Sequence, residues 1–248
     1  MRNDPGRSSA DNALRLVLLL TDARRLRVTE TARALGVAPS TAHRLLATLC
    51  ARGFALKVGD HSYVPGPAFA RLGLADSPRN RLRSAATVHL AELTRRVGET
   101  SNLVVREDRF VRFLECAEST AALRVGSRVG ALLPAHCTSG GKALLATLCE
   151  DDLDRLYGQG LPPSPTAKAH DLATLRVELA RVRAAGHAVN QEESEVGVVA
   201  LGTCVRQPDG RPVGAISVSI PSARYRAGRA PAIVAALQRA ADGIGSTL

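Results

Sequence analysis

The chain has 248 residues, 45% hydrophobic and 23% charged, enough for one large or two ordinary domains that bury a core without disulfide staples. This balance excludes disorder and fibrous repeats for most of the length, and 3% aromatics with no Trp exclude a base-stacking platform for single strands. Thirty-three basic against 23 acidic residues give a formal charge of +10, which points to a polyanionic partner, nucleic acid first.

The charge is uneven. Met1 to Ala75 carries 11 basic and 5 acidic residues, a net of +6, whereas Asp76 to the end nets +4 over more than twice the length. No apolar run approaches the ~20 residues that span a bilayer, and the opening MRNDPGRSSADN lacks the apolar centre of a secretory signal. A soluble, cytoplasmic protein without a membrane partner is expected. Cys50, Cys116, Cys137, Cys149 and Cys204 are odd in number, with no C-x-x-C and no nearby His pair. They read as reduced, buried thiols, not as a zinc or disulfide framework.

In chain order, residues 1–10 read as a flexible tail. Ala13 to Leu20 reads as a buried first helix. A short second helix has Thr29 as its N-cap, Ala32 and Leu35 as its stripe, and Gly36 as its stop. Pro39 suits the first position of a third helix reaching Arg52 and stopped by Gly53. Its apolar stripe is Ala42, Leu45, Leu46 and Leu49; its other face carries Ser40, Thr41, His43, Arg44 and Thr48. Two helices joined by a short glycine turn form the helix-turn-helix pattern, and these side chains suit phosphate and base-edge contact in a major groove. Phe54 to Val58, a turn at Gly59-Asp60, then Ser62 to Val64 read as a wing hairpin that places Lys57 and His61 near the DNA backbone. The DNA-binding domain thus spans 11–65, followed by a linker helix at 66–78.

Ser77 and Pro78 then open a long helix, Arg79 to Val97, with the stripe Leu82, Ala86, Leu90, Leu93 and Val97. Asn102 to Arg106 and Phe110 to Cys116 form a hairpin around Glu107-Asp108-Arg109. Leu123 to Val125 and Val129 to Leu133 read as further strands. Helices are expected at Gly141 to Leu148, Asp151 to Tyr157, Leu172 to Ala185 and Ala230 to Ile244, with strands at Val198 to Arg206 and Pro212 to Ile220. Hairpins and helices without repeated βαβ units argue for an antiparallel α+β domain over 79–248.

No reaction centre is expected. Ser139-Gly140-Gly141-Lys142 resembles a phosphate loop only superficially, since the preceding glycine is missing and Ala143 replaces the Mg²⁺-binding hydroxyl. His136 and Cys137, adjacent on an extended segment, point to opposite faces and make no dyad. Glu192, Glu193 and Glu195 read as a solvated acidic loop, and His89, His170 and His187 are scattered. No catalytic residue, metal or cofactor is assigned.

Several of these stretches resemble one family. TETARALGVAPSTAHRLLATL (Thr29 to Leu49), the wing ending Tyr63-Val64-Pro65-Gly66, GSRVGALLPAHCTSGGKALLA (Gly126 to Ala146), NQEESEVGV (Asn190 to Val198) and GAISVSIP (Gly214 to Pro221) resemble the IclR family of bacterial transcriptional regulators. The resemblance runs from about Asp11 onward. It implies a winged helix-turn-helix, a linker helix and a GAF-like effector domain, assembled as homodimers or tetramers on double-stranded operator DNA. It also implies a pocket between the sheet and the loop Leu133 to Gly141, often holding a small organic acid. Matching positions are the backbone N–H groups of Ser139 and Gly140, with Asn190, Ala200, Ser217 and Ser219, and an apolar lining of Val125, Leu133 and Val198. Ser217 and Ser219 alternate correctly to share a face. Two positions depart from the family pattern: Asn190 stands where Asp is common, and Ala200 where Cys is common. Losing a carboxylate and a thiol favours a differently charged or larger ligand, or an empty site.

The resulting expectation is a sequence-specific regulator whose operator affinity responds to an effector. The alternatives are a ligand-independent dimeric DNA-binding protein and an enzyme carrying a DNA-binding domain. Two inward hydroxyls suit a dry core poorly, which disfavours the first alternative.

Overall fold

The computed structural model describes residues 8–22, 25–59, 62–71, 77–166 and 171–248. The chain divides into two compact units, Met1–Asn80 and Arg81–Leu248.

In the first unit, helix α1 spans Ser9–Asp22. It begins inside the stretch read as a tail, because the Ser8 hydroxyl accepts the Asp11 N–H at 3.0 Å and so caps the first turn. The rest of that tail, residues 1–7, lies outside the described residues. Strand β1, Leu26–Arg27, precedes helix α2, Val28–Leu35. Thr29 is therefore inside the helix and not its cap. Pairing of Arg27 with Ser62 keeps Arg27 extended, and the Glu30 carboxylate accepts the Arg27 N–H at 2.8 Å. Gly36, at φ 67°, ends α2 in the left-handed conformation that glycine adopts without strain. Helix α3, Pro39–Ala51, follows at once. Strands β2, Ala55–Val58, and β3, Ser62–Pro65, form the wing, and β1 adds to the far side of β3. Asp60 and His61 lie outside the described residues, so His61 cannot be placed beside Lys57. Helix α4, Pro67–Arg71, starts the expected linker; residues 72–76 of that reading also lie outside.

The unit closes around Leu16 and Leu20 of α1, Leu35 of α2, and Leu45, Leu46 and Leu49 of α3. Tyr63 and Phe69 complete this core, and the Phe54 ring meets Phe69 edge-on at 5.7 Å.

Helix α5 spans Pro78–Val97 and carries the chain into the second unit, and the Ser77 hydroxyl accepts the Asn80 N–H at 3.2 Å. Its stripe Leu82, Ala86, Leu90, Leu93 and Val97 is buried, as the periodicity predicts. Strands β4 (Thr100–Glu107) and β5 (Phe110–Ala117) form the expected hairpin, turned through Asp108 at φ 53°. Strand β6 is Leu132–Pro134, shorter than expected because a turn from Arg128 to Ala131, with Gly130 at φ 87°, precedes it. Leu123 to Val125 is not a strand. The Thr100 hydroxyl takes the Val125 carbonyl at 2.6 Å, while Glu118 pairs with Arg124 and accepts the Ser127 N–H.

Helices α6 (Ser139–Leu145), α7 (Glu150–Tyr157) and α8 (Leu172–Ala185) come next. Strand β7, Ala188–Gln191, has no counterpart in the sequence reading. Strands β8 (Val198–Arg206) and β9 (Pro212–Pro221) and helix α9 (Ala230–Ser246) finish the unit. The sheet order is β6-β5-β4-β9-β8-β7, antiparallel at every pairing.

Strand alternation divides the apolar residues between two faces. Leu103, Val105, Ile216, Val218 and Ile220 pack with α5 and α9. Val104, Val111, Phe113 and Ala215 pack with α6, α7 and α8. On this second face Asn102, Ser217 and Ser219 interrupt the apolar surface, and all three are buried. Among the described residues, no helix is long and apolar enough to cross a membrane.

Candidate functional site

Helix α3 buries Ala42, Leu45, Leu46 and Leu49, which fixes what its other side presents. Ser40, His43, Arg44 and Thr48 are exposed and Thr41 is half-buried, so all five lie on the expected outer face. The Thr48 hydroxyl donates to the Arg44 carbonyl at 3.0 Å, which commits its proton to the helix. Lys57 is exposed on β2, opposite Tyr63 of β3. Sequence reasoning missed Arg27, exposed on β1 of the same small sheet, because a two-residue strand leaves no pattern to read.

The second unit holds a small cavity where α6 meets the polar interruption of the sheet. Of the nine positions expected to form an effector site, Ser139, Gly140, Asn190, Val198, Ala200, Ser217 and Ser219 line it. Val125 and Leu133 do not. The Val125 carbonyl is held by Thr100, and Leu133 packs into the apolar cluster of α6, α7 and α8. Val104 and Phe113 supply the apolar wall instead. They face each other across β4 and β5, and Val104 shares its side with Asn102, so alternation along β4 carried this signal. Arg128, Thr138 and Ser194 also line the cavity and were missed. The free volume is about 20 Å³, room for a single water.

Each wall has a local cause. The first turn of α6 lies against β8 at Gly202, where an added Cβ would sit 2.8 Å from the Gly140 nitrogen. The Thr138 hydroxyl caps this turn by accepting the Gly141 N–H at 3.0 Å. Ser217 and Ser219 project from β9 beside Asn102, whose Nδ2 donates to Ser219 Oγ at 3.2 Å. Asn190, on β7, accepts the Glu193 N–H on Oδ1 at 2.9 Å and donates from Nδ2 to Ser194 Oγ at 2.7 Å. The Asn190 amide thus orders the loop joining β7 to β8.

That loop is not the solvated acidic stretch expected from its sequence. Lys142 of α6 is fully buried, and its Nζ donates to both Glu193 oxygens at 2.9 and 2.7 Å and to Glu178 Oε1 at 2.5 Å. Glu195 pairs with Arg128, and Glu192 accepts the Ser222 hydroxyl at 2.5 Å. A buried ammonium needs such partners, and loop and helix are tied together through them. Among the described residues, no cluster of three or more His, Cys, Asp or Glu side chains is arranged to hold a metal ion.

His136 and Cys137 occupy a buried 3-10 turn and not an extended segment. The His136 ring meets Tyr157 edge-on at 6.4 Å, and burial pushes the Cys137 thiol up, away from the reactive thiolate. Burial likewise pushes Cys116 and Cys204 up to about 11.

Comparison with known proteins gives a consistent picture. Residues 9–59 match the IclR helix-turn-helix domain, and residues 77–246 match the bacterial transcriptional regulator IclR C-terminal domain. The chain is 33% identical over 238 residues to the HTH-type transcriptional regulator BhcR of Paracoccus denitrificans, covering 95% of this chain and 85% of that one. It is 31% identical over 210 residues to the transcriptional repressor IclR of Escherichia coli, covering 79% and 73% respectively. Among solved structures, an IclR homologue from Microbacterium hydrocarbonoxydans complexed with 4-hydroxybenzoate is 26% identical. It superposes with a TM-score of 0.67, covering 97% of this chain and 99% of that one. With both domains matched in order and the observed elements in agreement, the chain belongs to the IclR family of DNA-binding bacterial transcriptional regulators.

Proposed function

We propose that this regulator binds its operator sequence-specifically in the cytoplasm, as a homodimer or tetramer, and that a small organic acid in the C-terminal cavity modulates its affinity. The observation that carries the DNA part is the outer face of α3, where Ser40, Thr41, His43 and Arg44 lie opposite a leucine-lined inner face. Arg44 contacts a base edge, the hydroxyls of Ser40 and Thr41 position the helix on phosphate, and Lys57 in the wing neutralises the backbone. Dimerisation places two such helices on a pseudo-palindrome, and effector binding shifts the population of placements that fit it.

DNA from just upstream of the protein's own gene is the first probe, titrated across a salt series with nonspecific competitor. Arg44→Ala is expected to weaken operator binding by about 10- to 100-fold and to relax specificity at one base pair, as loss of a bidentate base contact does. Lys57→Ala is expected to weaken all sequences alike and to flatten the salt dependence by about one ion. Unchanged affinity and specificity in Arg44→Ala would show that α3 is not the reading helix.

The effector part is supported by the buried hydroxyls of Ser217 and Ser219 and the guanidinium of Arg128 around one cavity. The neighbour crystallised with 4-hydroxybenzoate lends the class of ligand. A panel of small acids should raise the melting temperature of the full chain, since a ligand of the folded state stabilises it by mass action. Ser217→Leu, which fills the cavity, should abolish that rise. The free volume of about 20 Å³ favours a second reading, a ligand-independent dimer, and that reading stands if no acid shifts the melting temperature.

A further inference from the structure

We propose that the cavity selects anions through Arg128 and that the Glu195 carboxylate is an internal counter-ion, displaced from Arg128 when a small carboxylate ligand enters. The inference rests on the effector reading above and adds to it a charge anchor, a competitor and a gate.

Donors dominate the polar lining for reasons visible in the hydrogen bonds. Asn190 Oδ1 is held by the Glu193 N–H, so Nδ2 must be the atom facing Ser194, and Ser194 Oγ accepts from it. The Ser194 proton is then left to point elsewhere. Ser219 Oγ accepts from Asn102 Nδ2 in the same way, which frees its proton too. With the guanidinium of Arg128, the cavity presents hydroxyl and N–H donors on separate walls and no carboxylate among its lining residues. Such a lining suits an oxyanion. An Asp at position 190 would draw the Ser194 proton onto itself and add a negative charge, so the neutral amide of Asn190 makes the site more anion-seeking.

Arg128 and Glu195 differ in what they lose by separating. The Arg128 side chain is 19% exposed and that of Glu195 is 56% exposed. Glu195 can swing into water at little cost, whereas Arg128 stays on the wall and must keep an anionic partner. An incoming carboxylate supplies one, so the exchange conserves the charge balance at Arg128. The loop is built for a partial release. Its start is pinned by Glu193 on Lys142, and its end by the Gly197 carbonyl, which accepts the Ser222 N–H at 2.8 Å, so the Glu195 side chain can leave while the loop backbone stays. Release of Glu195 therefore uncovers the Arg128 guanidinium on the wall of a cavity that has room for one water.

Calorimetric titration of the full chain with pyruvate and 4-hydroxybenzoate, each beside its neutral amide, tests this. The wild type should prefer each acid over its amide. Glu195→Gln, at an exposed position that does not threaten folding, should tighten acid binding by about fivefold, because a partly exposed ion pair no longer competes. Arg128→Gln should erase the preference, and Asn190→Asp should weaken the acids selectively; circular dichroism checks that each variant folds. Acid preference retained in Arg128→Gln, or acid binding weakened by Glu195→Gln, overturns the inference while the effector reading stands. Absence of binding by every acid and amide, in wild type and in Glu195→Gln, removes both.

Discussion

Replacing Lys142 by Met is expected to destabilise the second unit by about 3–5 kcal/mol, the usual cost of leaving one partner of a buried pair behind. The asymmetry between its two carboxylates explains why the cost is this large. The Glu193 side chain is 9% exposed and that of Glu178 26%, so Glu178 can turn to water while Glu193 cannot without moving its loop. In Lys142→Met, Glu193 must either take a proton or leave, and leaving drags Ser194 and Glu195 away from the cavity. Urea unfolding of the full chain measures the loss. The double variant Lys142→Met, Glu193→Gln should recover part of it, since the neutral amide no longer leaves an unpaired charge buried. A single-variant loss below about 1 kcal/mol would show that solvent reaches the ammonium and that the pair does not fix the loop.

Leu46→Ala is expected to cost about 2–5 kcal/mol, from lost transfer energy and the void left between helices. Leu46 is fully buried between α3 and the rest of the first unit, so this loss falls on the surface that seats the reading helix. Operator binding should fail in a gel-shift assay while acid binding to the second unit persists by calorimetry. Loss of both together would show that the two units unfold as one. Retention of full operator binding would show that the core around Leu46 repacks.

Much of this architecture was legible because its signals are local. The stripes of α3 and α5 repeat every three or four residues, and Gly36 and Gly186 terminate helices through a backbone conformation only glycine takes freely. The extent of α8 was read to the residue for the same reason. Alternation along β9 correctly placed Ser217 and Ser219 on one side, and the resemblance brought Ser139, Gly140, Asn190 and Ala200 to the same cavity.

Other features were invisible for equally physical reasons. Thr29 has the chemistry of a cap, but Arg27 is held extended by a strand far along the chain, so the helix begins two residues too early for it. Leu123 to Val125 has strand-forming residues, yet its carbonyl is taken by Thr100 and no ladder forms.

The sequence by itself determined the two amphipathic frameworks, the outer face of α3, and the identity of the hydroxyls that interrupt the sheet. Periodicity dictates those, because burial of an apolar stripe outweighs most local alternatives. The tertiary structure alone decided what the charged residues do. Glu193 meets Lys142 across 51 residues of sequence and Arg128 meets Glu195 across 67, distances over which no local pattern carries information. Whether an acidic loop is solvated or forms the wall of a cavity depends on which cation the fold delivers to it, and the fold delivers Lys142 and Arg128.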